Sequence, residues 1–222
     1  MTTAAVPAPG FADPTRDAQR AFRAVLDALA HPARPFPLAG PAEPPAALGR
    51  GLAAVALTLL DEDCAVWLGG TLACDAEVTA WLAFHTGARR VAAAAEAGFV
   101  IAVPEALPPL ESLALGTDEA PHRSATVVLD VRGCVASPNT VPPNTGPPNT
   151  GPLNTGPARF TARGPGIDGT AQLGAPWATD NFADAWQRNT ELFPRGVDLL
   201  LVDSGTVTGL PRTTRLTAEQ ED

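Results

Sequence analysis

Apolar and polar positions fall into blocks along the chain, and the period changes from block to block. After Asp13, the residues Ala18, Phe22, Val25, Leu26 and Leu29 recur at helical spacing, with Arg16, Arg20, Arg23 and Asp27 opposite them. Asp13-Pro14 supplies an N-cap and a proline at the first helical position, and His31-Pro32 stops the run. The spacing predicts an amphipathic helix with its Phe22/Leu26 face on the core. Pro35 to Pro45 reads as a proline-rich connection. Ala46 to Leu60 is apolar nearly all round and predicts a deeply buried helix. Asp61-Glu62-Asp63 makes a turn into a short apolar strand, Cys64 to Leu68. A helix from Asp75 to His85 places Val78, Trp81, Leu82 and His85 on one face, and Gly87 ends it.

Continuous apolar runs follow at Phe99 to Val103, Ala125 to Val131 and Val197 to Val202. Ser204-Gly205 predicts a hairpin turn returning through Thr206 to Leu210. Between them, Asn181 to Phe193 predicts a helix with Phe182, Trp186 and Phe193 on one face and Asn189 set among them. Continuous apolar strands separated by helices imply an α/β fold, with a mixed, mostly parallel sheet lying between helices and covered on both faces.

The organisation is one α/β domain over residues 11–215, after a flexible N-terminus at 1–10 and before an acidic tail at 216–222. Residues 137–158 interrupt it. There Asn-Thr-Gly-Pro units repeat with a period of five and almost no apolar side chain, which reads as a flexible insert between two strands. Closing a loop over such an insert is cheap, at about 0.6 kcal/mol per doubling of length.

Composition narrows the function. Net charge is −9, and all 15 basic residues are arginine, scattered except for Arg89-Arg90. No basic stripe suits a nucleic acid. The longest apolar run, Gly51 to Leu60, is half the length that crosses a bilayer, so no membrane span is expected. The N-terminus lacks the basic segment of a signal peptide, its first positive side chain being Arg16, and a cytoplasmic protein is the expectation. Cys64, Cys74 and Cys134 are widely spaced and read as free, buried thiols; no zinc ligand set is recognisable, and no metal site is expected. With no lysine, a P-loop and a pyridoxal phosphate aldimine are both excluded.

Few residues offer chemistry, and no catalytic group can be named. The histidines are His31, His85 and His122, and no GxSxG elbow accompanies them. Ser124 is near His122 in sequence, but their spacing does not make a nucleophile and base. His85 is either a helix-terminal histidine favoured by the dipole or a ligand contact. Gly164-Pro165-Gly166 is either a plain turn or a set of amides offered to an anion, with proline removing one donor. Asn189 reads as a structural tie between helix and sheet. Arg212, Thr213, Thr214 and Arg215 combine two guanidinium groups with two hydroxyls after the last strand. They form either a phosphate or partner-carboxylate contact or a solvated edge. Asp61, Glu62 and Asp63 are solvated turn acids.

The ordered set of segments resembles a known family. Phe11-Ala12-Asp13-Pro14 leads into Gln19, Phe22-Arg23 and Leu26-Asp27; Leu57-Thr58-Leu59-Leu60-Asp61 precedes Val66-Trp67-Leu68. Phe84-His85-Thr86-Gly87, Gly116-Thr117, Pro121, Ser124 and Gly164-Pro165-Gly166-Ile167 follow. Trp186, Asn189, Phe193-Pro194-Arg195-Gly196-Val197-Asp198 and Leu210-Pro211-Arg212-Thr213-Thr214 close the series. In this order they resemble PhnH, a subunit of the bacterial carbon–phosphorus lyase system. The resemblance implies the fold of the large domain of pyridoxal-phosphate transferases without the cofactor. It also implies a homodimer within a core complex with PhnG, PhnI and PhnJ. That complex transfers ribose 5-triphosphate from ATP to an alkylphosphonate, releasing adenine, before the carbon–phosphorus bond is broken. Its iron–sulfur chemistry resides on another subunit, so no cofactor is expected here. The alternative is a non-catalytic small-molecule or phosphate-binding module that shares only the fold. Two departures stand out. The repeat insert is foreign to the family pattern, and Ala33 stands where glycine is expected, so a positive φ there would be strained.

Overall fold

The computed structural model describes residues 7–134 and 159–219, so the repeat insert lies outside the described residues. Helix α1 (Pro14–Ala30) starts where Asp13 Oδ1 accepts the Arg16 amide at 3.1 Å, with proline in the first turn. Strand β1 (Pro35–Pro37) comes from the stretch read as a connection. Its prolines are tolerated because it is an edge strand, paired only with β9 (Thr206–Leu210). Helix α2 (Gly49–Leu59) buries the unbroken series Gly51 to Ala56, as its all-round apolar surface predicts. Strand β2 (Ala65–Leu68), the one-turn helix α3 (Thr71–Cys74) and helix α4 (Ala76–Thr86) follow. Asp75 caps α4 by accepting from the Glu77 and Val78 amides, and Gly87 ends it at φ 68°. Next come β3 (Arg89–Arg90), β4 (Phe99–Ala102) and β5 (Thr126–Asp130). Beyond the insert lie β6 (Arg159–Arg163), β7 (Ala171–Gly174), α5 (Phe182–Glu191), β8 (Asp198–Val202), β9 and β10 (Arg215–Ala218).

Seven strands form the main sheet in the order β1-β9-β8-β5-β4-β2-β3. From β3 through β8 all neighbours run parallel, while β9 and β1 add antiparallel pairings at one edge. The sheet is therefore mixed and mostly parallel. Its central strands carry apolar side chains on both faces, which is why they read as continuous runs. Val128 and Leu200 point into a core shared with α1, α2 and α4. Val127, Leu129, Leu199 and Leu201 point into a second core containing Phe160, Phe182 and Trp186. That second face is covered by α5 and a three-stranded antiparallel sheet, β10-β6-β7, rather than by helices alone.

Four expectations are corrected. Phe22 and Leu26 are 46% and 49% exposed, whereas Ala21, Ala24, Val25 and Ala28 form the buried stripe of α1. Helix and sheet meet closely there: a Cβ on Gly209 of β9 would lie 2.6 Å from the Ala28 carbonyl, so small residues make the contact. Residues 7–10 are held in place, since Ala8 O accepts from Trp81 Nε1 at 2.9 Å. Residues 216–218, read as tail, belong to β10 and pair with β6. The cysteines are free but not buried, Cys74 being exposed and Cys64 and Cys134 half-buried. Ala33 does adopt φ 64°, the left-handed region, and is the one non-glycine described residue with positive φ.

Candidate functional site

The nominated residues do not form one site. His85 sits on α4, on the helical face of the sheet, between Trp81 and Phe84 at ring-centroid distances of 4.6 and 4.9 Å. Its Nε2 lies 2.8 Å from Ala8 O, so the imidazole pins the N-terminal segment. The other candidates, from Gly164 to Arg215, gather around the β6–β10 sheet on the opposite face.

There, the two glycines serve packing. A Cβ on Gly166, at φ 82°, would meet Ala30 O at 2.1 Å. One on Gly164, at φ 150°, would meet Thr213 O at 2.9 Å. This turn thus wedges between the end of α1 and the Pro211–Thr214 segment, and glycine is required by both space and φ. Thr214 is fully buried, its carbonyl accepting Trp186 Nε1 at 2.7 Å, and its Oγ1 bonds none of the described residues.

Arg212 is the centre of a polar hub. Its Nε donates to Asp198 Oδ1 at 3.1 Å and its Nη2 to Asp198 Oδ2, a bidentate pair at the start of β8. Nη2 also donates to Ser124 Oγ at 2.6 Å, and Nη1 donates to Pro121 O and Pro194 O, both at 3.2 Å. A guanidinium has five N–H donors, and this accounting spends all five inside the chain. Arg212 thereby locks together the Pro121–Ser124 turn, the Pro194 loop and β8. Ser124 Oγ is committed to Arg212 while His122 is exposed, so the two form no nucleophile–base pair. Asn189 is the expected tie. Its Oδ1 accepts the Val197 amide at 2.8 Å and its Nδ2 donates to Val197 O at 3.0 Å, a ladder-like pairing in a residue 3% exposed.

A second internal ion pair went unread in the sequence. Asp130, 6% exposed at the end of β5, is gripped by Arg132 through Nε at 2.8 Å and Nη2 at 2.6 Å. Arg132 Nη2 reaches on to Ala47 O at 2.7 Å, tying β5 to the approach to α2, and the Asp130 carboxylate pushes the guanidinium pKa further up. The two residues are adjacent but for Val131, a spacing that in sequence alone says nothing of a bidentate grip.

Two of the concavities among the described residues bear on the candidate site. One, of about 290 Å³, lies past the C-terminal ends of β4 and β5, walled by Trp177, Phe182, Leu107 and Leu129 with Arg188 at its margin. Open α/β sheets commonly bind ligands at this end of the strands. The other, of about 590 Å³, lies over the β6–β10 pair and is lined by Arg163, Gly164, Thr190, Phe193, Thr213 and Arg215 among others. Of the candidate site residues, Gly164, Thr213 and Arg215 reach it. No group of three or more His, Cys, Asp or Glu able to hold a metal occurs among the described residues. No described helix is long and apolar enough to cross a membrane.

Comparison with known proteins matches this frame along nearly its whole length. The chain is 38% identical over 210 residues to a protein of Rhizobium meliloti (strain 1021), with 94% of each chain covered. That relative is described as alpha-D-ribose 1-methylphosphonate 5-triphosphate synthase subunit PhnH. The sequence model of the family described as bacterial phosphonate metabolism protein (PhnH) matches residues 9–217, from the segment pinned by His85 to strand β10. The chain therefore belongs to the PhnH family of bacterial phosphonate metabolism proteins.

Proposed function

We propose that this chain is a subunit of the carbon–phosphorus lyase core complex. There, with PhnG, PhnI and PhnJ, it supports transfer of ribose 5-triphosphate from ATP to an alkylphosphonate. Adenine leaves in that step, ahead of carbon–phosphorus bond cleavage. The observation that carries the reading is the match over residues 9–217, joined to a relative named as a synthase subunit and covered over 94% of its length. The polar inventory supports a supporting role rather than a self-contained active site. Arg212, Ser124, Asp198 and Asn189 are committed to each other and to backbone, and His85 to Ala8.

The same proposal includes a cytoplasmic homodimer, kinship of the fold to the large domain of pyridoxal-phosphate transferases, and no cofactor of its own. With no lysine in the chain, an internal aldimine has no amine to form on. Iron–sulfur chemistry is assigned to another subunit. The test is adenine release from ATP in the presence of methylphosphonate. The isolated chain is expected to give none, and the reconstituted complex to give it. Robust release by the isolated chain would contradict the proposal. A second reading, a phosphate-binding module with only the fold in common, is favoured by one feature, the cleft lined by Arg163 and Arg215.

A further inference from the structure

Arg163 on β6 and Arg215 on β10 are direct partners in the antiparallel register. Directly opposed residues project from the same face with Cβ atoms about 5 Å apart, and like charges so placed repel. Natural sheets answer this with a nearby carboxylate, yet neither guanidinium makes an ion pair or hydrogen bond with any described residue. That is notable in a chain with 24 acidic residues and a net charge of −9. Of the acids around the pair, Glu191 borders an adjoining recess with Arg215 but accepts Gln187 Nε2 at 3.0 Å, and Glu219, just past β10, accepts Thr161 Oγ1 at 2.9 Å.

Both arginines line the cleft of about 590 Å³, a volume in the range of small-molecule sites. Thr190, Thr213 and Thr217 add three hydroxyls to its wall. Thr190 Oγ1 donates to Gln187 O at 2.8 Å and keeps its lone pairs, while the Thr213 and Thr217 hydroxyls bond no described residue. Phe193, 63% exposed, supplies an apolar wall on one side. Two unspent guanidinium forks, free hydroxyls and one aromatic ring suit a ligand with several anionic oxygens and a carbon portion.

We propose that this cleft binds a phosphate-bearing small molecule with more than one phosphoryl group, gripped by Arg163 and Arg215, with Thr213 and Thr217 completing the contact. The choice of phosphorus over carboxylate chemistry rests on the function proposed above; the existence of an anion site does not.

The probe is inorganic tripolyphosphate, titrated calorimetrically into the full chain at low salt. Saturable one-site binding is expected, weakening as salt rises. The R163Q/R215Q double variant is expected to bind at least tenfold more weakly while keeping the parent's unfolding midpoint or exceeding it, because repulsion is relieved. Absence of binding by the parent chain overturns the proposal, and so does unchanged binding by the double variant. Coexpression of R163Q/R215Q with the partner subunits separates this idea from the assembly reading. The site proposal expects the variant to join the complex normally. If the variant drops out and the parent chain ignores tripolyphosphate, the arginines face an acidic segment of a partner, and the small-molecule proposal fails while the assembly reading stands.

Discussion

Replacing Arg212 by alanine removes five donor contacts at once, and the structure fixes what each loss leaves behind. The Asp198 carboxylate loses both guanidinium bonds and keeps only the Arg212 amide, at 2.7 Å. Ser124 Oγ and the Pro194 carbonyl lose this partner as well, and the Pro121 carbonyl is left with the Ser124 amide at 3.3 Å. Breaking a fully buried pair costs about 3–5 kcal/mol. Here the Arg212 and Asp198 side chains are 13% and 26% exposed, so water recovers part of the loss, and the lower end, about 3 kcal/mol, applies. For a chain of this size each kcal/mol moves the midpoint by about 2–4 °C, so Tm is expected to fall by about 6–12 °C. Domains are stable by about 5–15 kcal/mol, so the variant still folds. Urea unfolding followed by far-ultraviolet circular dichroism gives the free energy directly. Arg212→Lys is expected to lose most of the same amount, because an ammonium cannot reproduce the fork. A loss under about 1 kcal/mol with unchanged slope would refute the donor accounting and return Arg212 to the set of groups free to meet a ligand.

Three further outcomes are expected. Asn189→Leu strands the Val197 amide and carbonyl in a buried setting and is expected to cost about 2–4 kcal/mol in the same unfolding measurement; a neutral result would mean the pairing is not made. Ala33→Val places a β-branched side chain at φ 64° and is expected to destabilise by about 2 kcal/mol or more, while Ala33→Gly stays within about 1 kcal/mol of the parent. Burial pushes the Cys64 thiol pKa up, and its Sγ bonds Asp61 Oδ1, while Cys74 is exposed. Iodoacetamide near pH 8, read by mass spectrometry, is accordingly expected to label Cys74 first, because the thiolate is the reacting form and the Cys64 thiolate is populated only at higher pH. Equal labelling rates would contradict the placement.

The main sheet and its helices were legible because their signals are local or periodic. Asp13 and Asp75 cap helices, Gly87 ends one, and the central strands are apolar on both faces. Ala33 was legible too, as a side chain standing where the backbone wants glycine. The small sheet was not, because it shows one face to solvent: β10 has three of its four residues exposed and β7 two of four. The working face of α1 was misread because alanines carry it, and its partner is Gly209, far along the chain, which no helical period reveals. For the site, type was easier to see than use. Arg212 was picked out as a guanidinium, but its partners lie 14 residues back at Asp198 and 88 back at Ser124, and only the fold brings them to it. The Arg163–Arg215 pair has the same origin, since register alone makes neighbours of them.

On the function proposed above, this chain works as one subunit of a phosphonate-processing assembly. Coexpression with PhnG, PhnI and PhnJ, followed by size exclusion, tests it most directly. Copurification at a fixed stoichiometry, surviving dilution, is the result expected. A folded chain that elutes apart from the other three subunits would contradict the claim and leave the family match as evidence of shared fold alone.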